Sequence, residues 1–150
     1  MESNLNFRNF VVPRFQFEKT EIDIEKSSFE IQPQALISRK KQQFHINIEM
    51  ELLNKENQFI LKMTSVGIFS YSAQEEDQLF NFMSVNGPAI VFPYIRSFIS
   101  NFTSLSGFET VTLPTLNLSG FKEDLIKNLI DLDKKMANEL FYSLYISTYL

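Results

Sequence analysis

Apolar and polar residues alternate cleanly over residues 43–54, QFHINIEMELLN. Phe44, Ile46, Ile48, Met50 and Leu52 share one parity, and His45, Asn47, Glu49 and Glu51 the other. That is the period of a strand with one covered face. The polar turn Asn54–Asn57 comes next, then FILKMTSVGIFSY, so the pattern predicts a hairpin of two long strands. His45, on the polar parity, is expected to be solvated. Upstream, Phe15 and Phe17 fall on one parity and Ile22 and Ile24 on the other; a bulge near Glu18-Lys19 reconciles them. Phe29, Ile31, Ala35 and Ile37 predict a further strand, which Pro33 confines to an edge or a bulge.

From residue 75 the period lengthens. Leu79, Phe80 and Met83 give a short amphipathic helix, and Asn86-Gly87-Pro88 reads as the start of the next. Apolar residues at 91, 94, 95, 98, 102 and 105 continue that helix, and Gly107 is positioned to end it as a left-handed cap. The connection 107–120 is apolar for a loop. Ser119 is a candidate N-cap for a last helix carrying Phe121, Leu125, Leu129, Leu132, Met136, Leu140, Tyr142 and Leu144. The final ten residues, FYSLYISTYL, carry no charge.

Charge is unevenly spread. Residues 1–73 hold nine basic and nine acidic side chains, and residues 121–150 hold four and five. Between Pro88 and Gly120 only Arg96 and Glu109 are charged. A chain of 150 residues has limited interior, so part of this segment is expected to be buried between subunits. The alternative is a helix internal to the monomer. The net charge of −4 argues against a nucleic-acid binder acting through a basic surface. The longest charge-free stretch, Gln78–Ile95, is broken by polar and proline residues, so no membrane insertion is expected. No targeting segment is visible, and a cytoplasmic protein is expected.

The residues offer little catalytic chemistry, and no enzyme is expected. One His and no Cys leave no His/Cys metal cluster. Glu75-Glu76-Asp77 fits a helix N-terminus better than a cation loop. The four glycines form no phosphate cradle, so no cofactor is implied. What stands out is the aromatic content, 16 Phe and 5 Tyr. Either it fills a Phe-rich core and a dimer interface, or it forms a surface for apolar segments.

The stretch 84–121, SVNGPAIVFPYIRSFISNFTSLSGFETVTLPTLNLSGF, resembles the SecB family of protein-export chaperones. The matching positions are Asn86, Pro88, Ile90, Phe92, Pro93, Tyr94, Arg96, Ile99, Gly107, Phe108, Leu113, Pro114, Leu116 and Phe121. Gly67-Ile68-Phe69 matches the strand end that precedes the family's first helix. The resemblance implies an α+β fold: a four-stranded antiparallel sheet followed by two long helices. It implies one domain over 1–150, with the sheet at about 11–72 and the helical half at about 75–150, assembled as a dimer of dimers.

The function so implied is an ATP-independent holdase for protein export. Unfolded or preprotein clients would bind apolar grooves and pass to SecA. With parity and position, it places Phe44, Phe69, Tyr71, Phe121, Leu125 and Leu129 in the client groove. Val91, Tyr94, Ile95, Phe98 and Phe102 would lie in the homotetramer interface. Three features depart from the family pattern. The link between the first two strands is short, leaving a shallower groove or a hairpin of those two strands. Lys62 stands where an acidic residue serves SecA docking, and the chain ends in an apolar segment rather than a polar tail. These departures point to the alternative of a dedicated SecB-like chaperone of a toxin–antitoxin system, with an antitoxin as partner. A structural or adaptor oligomer without a client groove is the reading from another class.

Overall fold

The computed structural model describes residues 2–114, 116 and 118–134. Four long strands dominate it: β1 (Asn4–Lys19), β2 (Ser28–Ser38), β3 (Gln43–Asn54) and β4 (Phe59–Ser72). β3 and β4 form the predicted antiparallel hairpin, its turn closed by the Asn57 N–H donating to Asn54 Oδ1 at 2.8 Å. β2 pairs with β3, but β1 pairs with β4. The short link 20–27 is therefore a crossover and not a hairpin. It wraps the tip of the β3–β4 turn, where Ile24 N–H donates to Gln58 Oε1 and Lys55 N–H to Ser27 Oγ.

The sheet contains a fifth strand besides the four antiparallel ones. A short β5 (Ile130–Asp131) adds in parallel to β2, giving the order β1-β4-β3-β2-β5 and a mixed sheet. β1 also begins earlier than expected, and its irregularities lie at Arg8 and at Val12-Pro13 instead of at Glu18-Lys19. The alternation was misleading because residues 20–27 leave the sheet. Ile22 is 80% exposed in the crossover, while Ile24 is buried beside Gln58. Each real bulge shifts the parity by one residue. Phe7, Phe10, Phe15 and Phe17 consequently all turn toward the helical layer despite their mixed parity.

The helical layer runs on from β4 without the expected break. α1 (Glu76–Asn81) leads through a π-helical turn (Phe82–Asn86) into α2 (Gly87–Leu105). Pro88 has no N–H to return to Ser84 O, and the widened turn absorbs the loss, with Gly87 N–H donating to Phe82 O. α2 ends at Ser106, and Gly107 takes the predicted left-handed conformation at φ 81°. Thr103 then pins the apolar connection: its Oγ donates to Ile99 O and accepts from Val111 N–H at 2.9 Å. Leu113 is buried there against the core.

α3 (Phe121–Lys127) is short and capped by Gly120, not by Ser119. It stops at Asn128, where the spacing predicted a long helix running on. Asp131 Oδ1 accepts from the Asp133 and Lys134 N–H groups, a local turn that competes with helix. Leu132 N–H donates to Ile37 O, and Leu132 packs on Leu36. Met136, Leu140, Tyr142, Leu144 and the terminal FYSLYISTYL lie outside the described residues.

The core sits between the sheet and the helices. Phe44, Ile46, Ile48, Met50, Leu61, Met63 and Phe69 face Val91, Phe92, Ile95 and Ile99 of α2. Gly67 permits the close approach: a Cβ there would lie 2.2 Å from Val91 Cγ2.

Candidate functional site

The six expected groove residues are brought together, but inside the protein. Phe44 stacks on Phe69 with centroids 4.9 Å apart and 14° between planes, and Phe44 contacts Tyr71 at 5.9 Å. α3 closes over this end of the sheet, burying Phe121 and Leu125, while Leu129 is half-buried. Burial pushes the Tyr71 phenol above its ordinary range. An open apolar groove over these six residues is therefore absent among the described residues; α3 covers them.

The five expected interface residues divide. Val91 and Ile95 are wholly buried within the single chain, so they cannot present a surface. Phe98 and Phe102 are half-buried on β1, and Tyr94 is 48% exposed. The outward strip of α2 is instead Ala89, Pro93, Ser97 and Asn101, all uncharged and all exposed.

An aromatic run that sequence reasoning missed continues from the Phe44–Phe69 stack, Phe7 meeting Phe69 edge to face at 5.3 Å, and extends along β1 and α2. Tyr94 lies 5.0 Å from Phe7 and 5.5 Å from Phe10. Phe15 lies 5.1 Å from Phe98 and 4.5 Å from Phe102, edge to face. Phe17 touches Phe102 and Phe108. Unlike the Phe44 stack, none of these eight rings is fully buried. β1 is an edge strand, so nothing among the described residues lies beyond it to cover them. Each such pair adds about 0.5–1.5 kcal/mol beyond area burial, so the rings are held in place while part of each face stays available. The signal was Phe at 7, 10, 15 and 17 in one strand, but it was obscured by the misplaced bulge.

The other face of the sheet differs along its length. Toward the crossover end it is polar: Glu30, Glu51 and Lys62 form one cross-strand row, and Gln32, Glu49, Thr64 and Arg14 the next. They line a shallow recess of about 240 Å³. Toward the opposite end it is apolar, with Leu36, Val66 and Ile68 buried. His45 lies there between Leu36 and Ile68, only 1% exposed, contrary to the expectation of a solvated position. Burial lowers its pKa to about 4, so it is neutral at pH 7.

No helix among the described residues is long and apolar enough to cross a membrane. The sequence model of the SecB family, described as preprotein translocase subunit SecB, matches residues 12–126. The chain belongs to the SecB family. The protein-export protein SecB of Anaplasma phagocytophilum is 27% identical over 120 residues, covering 75% of each chain. An uncharacterized protein of Methanocaldococcus jannaschii is 26% identical over 143 residues, covering 81% of this chain and 84% of its own. The fold resembles that of the Mycobacterium tuberculosis SecB-like chaperone Rv1957, solved with a ChAD peptide from the HigA1 antitoxin. The TM-score is 0.60 at 20% identity, over 75% of this chain and 88% of that one. SecB-family proteins are chaperones, which agrees with a site made of aromatic rings.

Proposed function

We propose that this SecB-family protein is an ATP-independent holdase of the cytoplasm that keeps non-native polypeptides, preproteins for export among them, from aggregating. The observation that carries this reading is the half-open aromatic run on β1 and α2. An extended apolar segment laid on Phe7, Phe10, Phe15, Phe17 and Tyr94 would lose water at about 25 cal/mol per Å² without requiring one sequence. The five buried groove residues and the half-buried Leu129 would join the site when α3 lifts from the Phe44–Phe69 stack. Purified protein should suppress aggregation of several unrelated unfolded clients, at near-stoichiometric ratio and without nucleotide. Failure with all of them removes the general reading.

A second reading is a dedicated chaperone of an antitoxin, favoured by the antitoxin peptide on the M. tuberculosis neighbour. It predicts protection of one partner only. A structural or adaptor oligomer predicts neither, and a dye that fluoresces on apolar surface would stay dark. Delivery to SecA would use the outer sheet face, where Lys62 stands opposite Glu51. Lys62→Glu should strengthen SecA capture if that face docks the motor, and should change nothing if it does not.

Assembly as a homotetramer of two dimers belongs to the same proposal. The outward strip of α2, Ala89, Pro93, Ser97 and Asn101, would supply a contact, since charge depletion marks interface cores. Ser97→Glu should lower the solution mass to dimer or monomer while circular dichroism stays unchanged. A variant that remains tetrameric places the contact elsewhere.

A further inference from the structure

Residues 130–134 lie on the outer edge of β2, with Ile130 opposite Leu36 and Asp131 opposite Ile37. The Leu132 N–H donates to Ile37 O at 2.8 Å, and Leu132 and Ile130 pack on Leu36. Polar side chains supply much of the remaining hold. Arg39 donates through Nη1 to Asp131 Oδ2 at 3.1 Å and through Nη2 to Glu76. Asp133 accepts from Ser38 Oγ at 2.8 Å and from Lys40 N–H at 3.1 Å. A strand of two residues thus sits in a seat with specific positions for apolar, acidic, apolar and acidic side chains.

The seat extends beyond its present occupant. β5 runs parallel to β2, so anything upstream of Ile130 would lie beside Ala35, Pro33 and Ile31. The chain instead turns away at Asn128 into α3. Between Ile31–Gln34 and Asp124 and Asn128 on the α3 side, and reaching over Asn47, Glu49 and Thr64 on the polar outer face of the sheet, a recess of about 430 Å³ remains. Ile37 turns its carbonyl outward to Leu132 N–H, and the strand period turns the backbone groups of Ala35 and the carbonyl of Pro33 the same way. Pro33 offers no N–H, so a ladder there ends after few bonds and does not run the length of β2.

We propose that the outer edge of β2, with Arg39 and the Ser38–Lys40 turn, accepts an extended client segment of apolar–acidic–apolar–acidic pattern, and that residues 130–134 occupy this seat as a displaceable self-ligand. This rests on the client-holding reading above. The chain's own segment shows the occupant's chemistry, because it already satisfies every partner named. A client making the same bonds would exchange for it with little net change, and its upstream residues would add contacts in the recess. The tethered self-ligand competes at an effective concentration on the order of millimolar, so a copy of it alone binds the wild type poorly.

The test uses a fluorescein-labelled peptide of the chain's own sequence, IKNLIDLDK, in fluorescence anisotropy. Asp131→Asn with Asp133→Asn keeps the turn-forming oxygens but removes the charges from the self-ligand. The peptide should bind this double variant at least about tenfold more tightly than wild type. Arg39→Ala added to it should remove the gain. Equal binding to all three proteins, with circular dichroism unchanged, overturns the inference. Should the double variant fail to fold, hydrogen exchange on the wild type decides. A saturating unfolded client should speed exchange at Leu132, and unchanged exchange overturns the proposal. Aggregation suppression retained beside unchanged Leu132 exchange removes this seat alone. Peptide binding without any aggregation suppression removes the holdase reading and leaves the seat.

Discussion

Phe44 and Phe15 are the same residue type on strands of one sheet, and both face the helical layer. Phe44 lies on β3, in the middle of the sheet, stacked on Phe69 beneath the helices, and is 1% exposed. Phe15 lies on β1 at the edge, meets Phe98 and Phe102 edge-on, and remains half-exposed. A central strand has neighbours on both sides, so its rings are enclosed; an edge strand has one. Position in the sheet order thus separates the enclosed rings from the rings that stay partly open, to which the proposed function assigns the client.

The sharpest way to break this comparison is to delete a ring from each cluster. Phe69→Ala removes a fully buried ring and should cost about 3–5 kcal/mol in urea unfolding. Phe10→Ala should cost about 1 kcal/mol or less, since part of the ring already meets water. Equal losses would show that the edge cluster is ordinary core.

His45 extends the comparison to the outer face. Its folded pKa of about 4 lies below the ordinary 6.5. The unfolded chain therefore binds the proton more readily, and stability is full above pH 6.5 and falls as pH drops toward 4. The loss should reach about 3 kcal/mol, from roughly 1.4 kcal/mol per pKa unit. His45→Leu should flatten that part of the pH profile. An unchanged profile would place the proton uptake on other groups.

Gly67 offers a smaller effect. A methyl there would meet Val91 Cγ2 at 2.2 Å, so Gly67→Ala should cost about 1–3 kcal/mol as α2 lifts from the sheet. Adding Val91→Ala should recover part of it. A purely additive double variant would mean that α2 does not rest on Gly67.

Much of the fold was legible because the hydrophobic period carries it. The β3–β4 hairpin and the Gly107 helix end come from local rules. Pro33 does not make β2 an edge strand, since β5 pairs with it at Leu36 and Ile37, but β5 does not reach Pro33. Non-local covering was not legible. His45 did fall on the parity opposite Phe44, but that parity does not reveal that Leu132 returns to pack on Leu36 at the same end of the sheet. The helical spacing of Leu125, Leu129 and Leu132 likewise hid the end of α3 at Lys127 and the Asp131 turn that follows it. The groove residues were read as a set and do meet, but parity cannot say whether a meeting place is open or closed. The bulges at Arg8 and Val12-Pro13 masked the edge cluster, because an extra residue leaves no mark in composition.

Client affinity of an edge-cluster variant tests the central claim most directly. A labelled, permanently unfolded client is titrated with the wild type and with Phe10→Ser/Tyr94→Ser, whose circular dichroism and urea midpoint are checked first. The account predicts at least about tenfold weaker binding by the variant, as about 1.4 kcal/mol of lost apolar contact requires. Unchanged affinity in a folded variant would contradict it and show that clients bind elsewhere on the protein.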